Sequence, residues 1–247
     1  MSAPLLVEFF TALPEDARQG GLDRPTTVSI DEPSPGGPPA RTGGKARRRA
    51  AIHVFCKQVQ QRYLEGTLLR LLESDDPVAR RAAVFALGLL GSPAANDALA
   101  ERLRDEDEAV ARSATEALWT LWFRGDSPAH ADQLYRSLRT RDGEKALAAL
   151  DALIAKAPRF AEAYNQRAIL HFRLERYDRA AADCEAVLRL NPKHFGAQAG
   201  LGQCLLRLRR QRAALRAFRI ALRINPHLDS VAAMVRTLEN QPGEEGR

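Results

Sequence analysis

The sequence predicts an all-α fold assembled from repeated helical hairpins, and three observations carry that reading. The 247 residues are rich in Ala and Leu while aromatics make up only 6%, a composition suited to close helix packing rather than to sheets of β-branched and aromatic residues. A segment beginning Asp76-Pro77-Val78-Ala79-Arg80 returns 31 residues later as Asp107-Glu108-Ala109-Val110-Ala111. Pro158, Pro192 and Pro226 are spaced by 34 and 34 residues. Repetition at such periods is the signature of stacked units, each of which buries its apolar face only against its neighbours.

Taken in chain order, residues 1–44 read as an arm. Leu5, Leu6, Phe9, Phe10 and Leu13 fall at helical spacing and predict a short amphipathic helix over 4–13. Such a helix is too short to be stable in isolation, so it is expected to dock, either on its own chain or on a partner. From Pro14 to Gly44 six prolines and three glycine pairs give a linker composition expected to be disordered. At about 30 residues its root-mean-square span is roughly 30 Å, enough to reach back to the chain's own repeats.

A helix is predicted over 46–61, where Ile52, Phe55 and Val59 recur every three to four residues. Lys45, Arg47, Arg48 and Arg49 stand at its start, unfavourably placed for the helix dipole. The 31-residue units follow. Each has a leucine-rich segment, Leu68 to Leu72 and Leu99 to Leu103, an acidic turn, and a second helix that the turn aspartates can cap. Residues 62–124 resemble HEAT repeats of the short, bilin-lyase-like kind, whose second helix opens with an acidic turn and closes with Ala-Leu-Gly. The first unit keeps Ala86-Leu87-Gly88; the second has Trp119 in place of that glycine and adds Trp122 and Phe123, aromatics expected to cover the junction with the next array.

Between the spaced prolines, small and large residues fall in step. Tyr164, Ala168, Tyr177, Ala180, Cys184 and Val187 match Gln198, Gly202, Gln211, Ala214, Phe218 and Ala221. Small residues let paired helices approach and large ones fill the space between pairs. This pattern resembles tetratricopeptide (TPR) repeats, with units at 161–194 and 195–228, each ending in Asn-Pro, and a degenerate unit at 127–160. A helix at 229–240 resembles the solvating cap such arrays need, and 241–247 reads as a tail. The two resemblances imply a right-handed α-solenoid in which a HEAT-like array, 45–125, continues into a TPR array, 126–240.

Resemblance to TPR proteins implies a concave groove lined by the first helix of each pair and able to hold a peptide segment. By register the lining residues are Asn165, Ile169, Phe172 and Arg173, then Ala199, Gln203, Leu206 and Arg207. Asn165 stands where the family commonly has a backbone-clamping amide, and the mixture of apolar side chains and Arg implies a ligand with an apolar and an acidic residue. The basic and amide constellation of chaperone-tail binders is not reproduced. The expected role is a protein-interaction adaptor or scaffold.

Charge suggests an alternative. Residues 159–228 hold 14 basic against 5 acidic residues, whereas 63–124 hold 7 against 11. Arg212, Arg216, Arg219 and Arg223 recur at i, i+4, i+7 and i+11, which stacks them on one helix face, and Arg209 and Arg210 extend the stripe. An acidic partner or nucleic acid could bind there, although no aromatic is interleaved for base stacking. A structural subunit buried in a larger assembly is the third reading.

No G-x-G-x-x-G, P-loop, H-E-x-x-H or G-x-S-x-G is present, so no enzyme mechanism has a visible carrier and no catalytic residue or cofactor is expected. Cys56, Cys184 and Cys204 form no C-x-x-C pair, and His53 with Cys56 lacks a second pair, so no metal site is expected. The first residues lack a basic n-region and no stretch reaches the roughly 18 apolar residues of a membrane helix. The expectation is a cytoplasmic protein without a membrane partner.

Overall fold

The computed structural model describes residues 5–18 and 42–240. Among these are fourteen α-helices, two short 3-10 turns and no strand. The middle of the expected linker, 19–41, and the tail, 241–247, lie outside the described residues. The chain divides into two compact units, Met1–Gly125 and Asp126–Arg247.

In the first unit, α1 (Leu5–Thr11) and α2 (Glu15–Arg18) precede α3 (Thr42–Arg62). Two hairpins follow: α4 (Glu65–Leu71) with α5 (Pro77–Leu90), and α6 (Asn96–Glu101) with α7 (Glu108–Phe123). The acidic turns act as the sequence suggests. Asp76 caps α5 by accepting from the Val78 amide, and Asp107 caps α7 by accepting from Ala109 and Val110. Pro77 occupies the first helical turn, where its missing N–H costs nothing.

α5 and α7 pack through small residues. Ala79, Ala82, Ala83, Ala86, Ala111 and Ala114 are buried, and a Cβ added at Gly88 would fall 2.7 Å from the Ala117 Cα. Only glycine permits that approach. Trp122 is buried, and its Nε1–H donates to Asn96 Oδ1 at 2.8 Å.

A buried ion pair ties the two hairpin turns together. The Arg80 guanidinium makes a bidentate contact with Asp105 (3.0 and 2.7 Å) and also donates to the Ser74 carbonyl at 2.9 Å. Both side chains are almost fully buried. The Asp105 hydrogen bond raises the Arg80 pKa further. Burial pushes the Asp105 carboxyl up, but the Arg80 hydrogen bond and the Asp107 amide outweigh it and hold the carboxyl below its usual range.

The second unit contains α8 (Pro128–Leu138), α9 (Gly143–Lys156), α10 (Ala161–Arg173), α11 (Tyr177–Leu190), α12 (Phe195–Arg207), α13 (Gln211–Ile224) and α14 (Asp229–Asn240). The degenerate unit at 127–160 forms a helical pair, α8 and α9. Ser127 caps α8 through the His130 amide, and Asp142 caps α9 through Glu144 and Lys145. The Asn-Pro endings have a local cause: Asn191 and Asn225 accept from the amides two residues on, at 3.1 and 3.0 Å, turning the chain as each helix ends.

In the repeats 161–194 and 195–228 the first helix stops in a Schellman turn. The Arg176 amide donates to His171 O and the Glu175 amide to Phe172 O; 34 residues later Arg210 and Arg209 donate to Leu205 and Leu206. The turn requires a left-handed residue, here Glu175 (φ 58°) and Arg209 (φ 61°). The small-for-large alternation shows at Gly202, whose added Cβ would lie 2.6 Å from the Phe218 ring. Phe218 joins Ala214, Ala221, Val231 and Val235, so α14 closes the apolar side of α13.

Candidate peptide-binding groove

The candidate lining residues come from α10 and α12, and the structure distributes them unevenly. Phe172 and Arg207 come together. Phe172 lies edge-on to Tyr177, 5.2 Å between ring centroids, and the Arg207 guanidinium lies over both rings, 5.7 Å from Phe172 and 5.9 Å from Tyr177. Arg207 and Arg173 are exposed, whereas Ile169 and Gln203 are half-buried. Ala199 and Leu206 pack against the α13 and α14 cluster, so part of each belongs to the core.

Asn165 is buried, and its Nδ2 donates to Glu162 Oε1 at 3.1 Å. It belongs to a network the sequence reading missed. Glu162 Oε1 also accepts from Gln166 Nε2 at 2.6 Å, while Glu162 Oε2 lies 3.0 Å from His194 Nε2. His194 Nδ1 accepts from the Ala197 amide at 3.0 Å, capping α12 and placing the ring proton on Nε2, where it donates to the carboxylate. Glu162 and His194 are completely buried. A signal was present: at the register of His194 the flanking units carry Phe160 and Leu228, so a polar side chain there needed a partner.

Tyr177, the other missed contributor, opens α11 rather than lining a first helix. Its own register partner is Gln211, so the aromatic pair occurs in one repeat only.

A second concavity of about 470 Å³ lies among α9, α10 and α11, lined in part by Glu144, Asp151, Arg167, His171, Arg176 and Arg179. Arg167 makes bidentate contact with Asp183 (2.8 and 2.6 Å) and reaches Asp151 at 2.6 Å. Arg176 pairs with Glu144. The Asp183 hydrogen bond raises the Arg167 pKa, and burial pushes the His171 imidazole down. In the next repeat Arg167, His171 and Asp183 become Leu201, Leu205 and Ala217, so this polar lining is not required by the repeat.

On α13 the side chains of Arg212, Arg216, Arg219 and Arg223 are exposed, as are Arg209 and Arg210 ahead of them. Arg219 is paired, its guanidinium lying 2.6 Å from Glu239 of α14. No group of three or more metal-ligating side chains occurs among the described residues, and none of their helices is long and apolar enough to cross a membrane.

Comparison with known proteins agrees with this architecture. Residues 44–119 match the family model of HEAT repeats, and residues 132–194 and 165–229 match the tetratricopeptide repeat model. The chain thus carries HEAT repeats followed by TPR repeats. A TPR repeat-containing protein of Rhizobium etli is 34% identical over 91 residues, 37% of this chain and 45% of the relative. The chain therefore spans less than half the length of that relative. Among solved structures, the first TPR of Spaghetti (RPAP3) bound to an HSP90 peptide aligns with a TM-score of 0.44 at 18% identity, over 46% of this chain and 93% of that one. The TPR repeats support a protein-interaction role for the chain.

Proposed function

We propose that the protein is an adaptor whose second unit holds a peptide segment along α10 and α12. The observation that carries this reading is the stack of Arg207 on Phe172 and Tyr177. An aromatic surface beside an exposed cation offers an apolar side chain a place to lie and a neighbouring carboxylate a partner. Exposed Arg173, one turn of the array away at the same register as Arg207, supplies a second cation. The ligand that fits is an extended or helical segment carrying an apolar residue next to an acidic one. Asn165 supports the groove from beneath by holding Glu162, rather than by offering its Nδ2 to a ligand.

The polyanion reading draws less support, because Glu239 neutralises Arg219 in the middle of the stripe. Affinity capture from a lysate with the full chain as bait separates the two. An adaptor retains a discrete protein after nuclease treatment and loses it when Arg173 and Arg207 are both changed to Glu. Retention that disappears with nuclease, or that ignores the double substitution, contradicts the groove.

A further inference from the structure

The face formed by α3 and α5 in the first unit is occupied by the chain's own α1 and α2, and the fit is good at one end and poor at the other. At the good end Leu6 and Phe10, one helical turn apart, are buried. Phe10 lies edge-on to Phe85, 5.6 Å between centroids, and Phe85 edge-on to Phe55 at 5.3 Å. The Leu6 amide donates to the Tyr63 hydroxyl at 2.9 Å. Leu13 and Ala17 are also buried.

At the other end the arm brings a cation to a face that already carries one. Arg81 of α5 lies over the Phe10 ring at 5.4 Å and donates to Ser113 Oγ at 3.1 Å, but reaches the Arg18 carbonyl only at 3.4 Å. Arg18 Nε is buried without an acceptor. Burial pushes the Arg81 pKa down, and the Arg18 and Arg112 charges push it the same way against Asp107 and Glu15. A buried donor without an acceptor beside a like charge is an unfavourable contact. Covalent attachment offsets it, because a segment of the same chain docks at high effective concentration.

We infer that the α3 and α5 face is a docking site for an amphipathic helix of another protein. That helix carries apolar side chains at i and i+4 and places a carboxylate where Arg18 lies, and residues 5–18 are a weak occupant that it displaces. A carboxylate there pairs with Arg81 in a charge-assisted contact, adding to the attraction that Glu15 already supplies. Released, α1 and α2 are too short to stay helical.

Two labelled peptides spanning residues 3–18, one native and one with Arg18→Glu, are titrated by fluorescence anisotropy into the full-length chain and into the full-length Leu6→Ala/Phe10→Ala variant. Both peptides should bind the variant, the Arg18→Glu peptide about tenfold tighter, with an advantage that shrinks as salt rises. The wild-type chain should bind each at least about tenfold more weakly, because its own arm competes. Equal affinity of the two peptides, or no binding to a variant whose circular dichroism remains helical, overturns the proposal. Should that variant misfold, Arg18→Glu within the full chain gives an independent answer. Slower amide exchange across 5–13 than in the wild type agrees with the inference, and unchanged or faster exchange overturns it.

Discussion

Glu162 of α10 and His194, the cap of α12 at the end of the same repeat, meet at 3.0 Å in a site from which solvent is wholly excluded. The carboxylate receives hydrogen bonds from His194, Asn165 and Gln166, so its desolvation is compensated from three directions. This contact holds α10 and the start of α12 in fixed relation beneath the candidate groove.

Removing the histidine strands a buried carboxylate and uncaps α12. His194→Ala is therefore expected to cost about 3 kcal/mol, read as a lower urea midpoint for the second unit. Glu162→Gln retains an acceptor oxygen and should cost less. Equal losses from the two substitutions contradict this account of the network.

The first unit has its own buried tie. Arg80→Ala leaves Asp105 with only Arg102, 3.7 Å away, as a cationic partner and should cost about 3 kcal/mol. The Asp105 carboxyl is held below its ordinary value in the folded chain. Its contribution is therefore present above the unfolded value near 3.8 and is lost as the pH falls through that value towards the folded one. Denaturation curves between pH 6 and 2 should show a smaller acid-induced loss for Asp105→Asn than for the wild type; parallel slopes would argue against the pair.

His171 predicts an acid-induced loss as well, but at higher pH. Burial lowers its pKa in the folded state, with Arg167, Arg176 and Arg179 adding to the shift against Asp183. The unfolded chain binds the proton more readily, so stability falls as the pH drops through about 6.5 and levels off below the folded value. The neighbouring repeat has Leu205 at this register. His171→Leu should flatten the stability profile between pH 8 and 5, and an unchanged profile would show that the ring is not the titrating group.

Two glycines should respond differently to alanine. A Cβ at Gly202 meets the edge of the Phe218 ring, a side chain that can tilt, whereas at Gly88 it meets the Ala117 backbone. Gly202→Ala is expected to cost about 1–3 kcal/mol and Gly88→Ala more, since α5 and α7 must separate. Thermal unfolding of the two variants ranks them, and a milder effect at Gly88 would contradict the close helix approach.

Much of the architecture was legible because it is periodic. The prolines at 158, 192 and 226, the capping aspartates 76 and 107, and the glycine and alanine positions each report on local geometry that a repeat must reproduce. What escaped was non-periodic. Spacing says which face of a helix is apolar, but not which polar atoms meet across helices, so Asn165 read as a ligand clamp while the fold gives its Nδ2 to Glu162. Arg80 and Asp105 are 25 residues apart in sequence, and nothing local marks them as partners. Nor does an isolated amphipathic segment reveal its docking site: Phe10 needed Phe85 and Phe55, more than 40 residues away, to explain its burial.

The most direct test of the proposed adaptor role pans a phage-displayed library of 12-residue peptides on the full-length chain, then measures each recovered clone on the wild type and on the Arg173→Glu/Arg207→Glu variant. The account predicts recovery of sequences with an apolar residue beside an acidic one, whose affinity falls about tenfold or more on the variant. Recovery of no consensus, or of peptides bound equally well by both proteins, would contradict it.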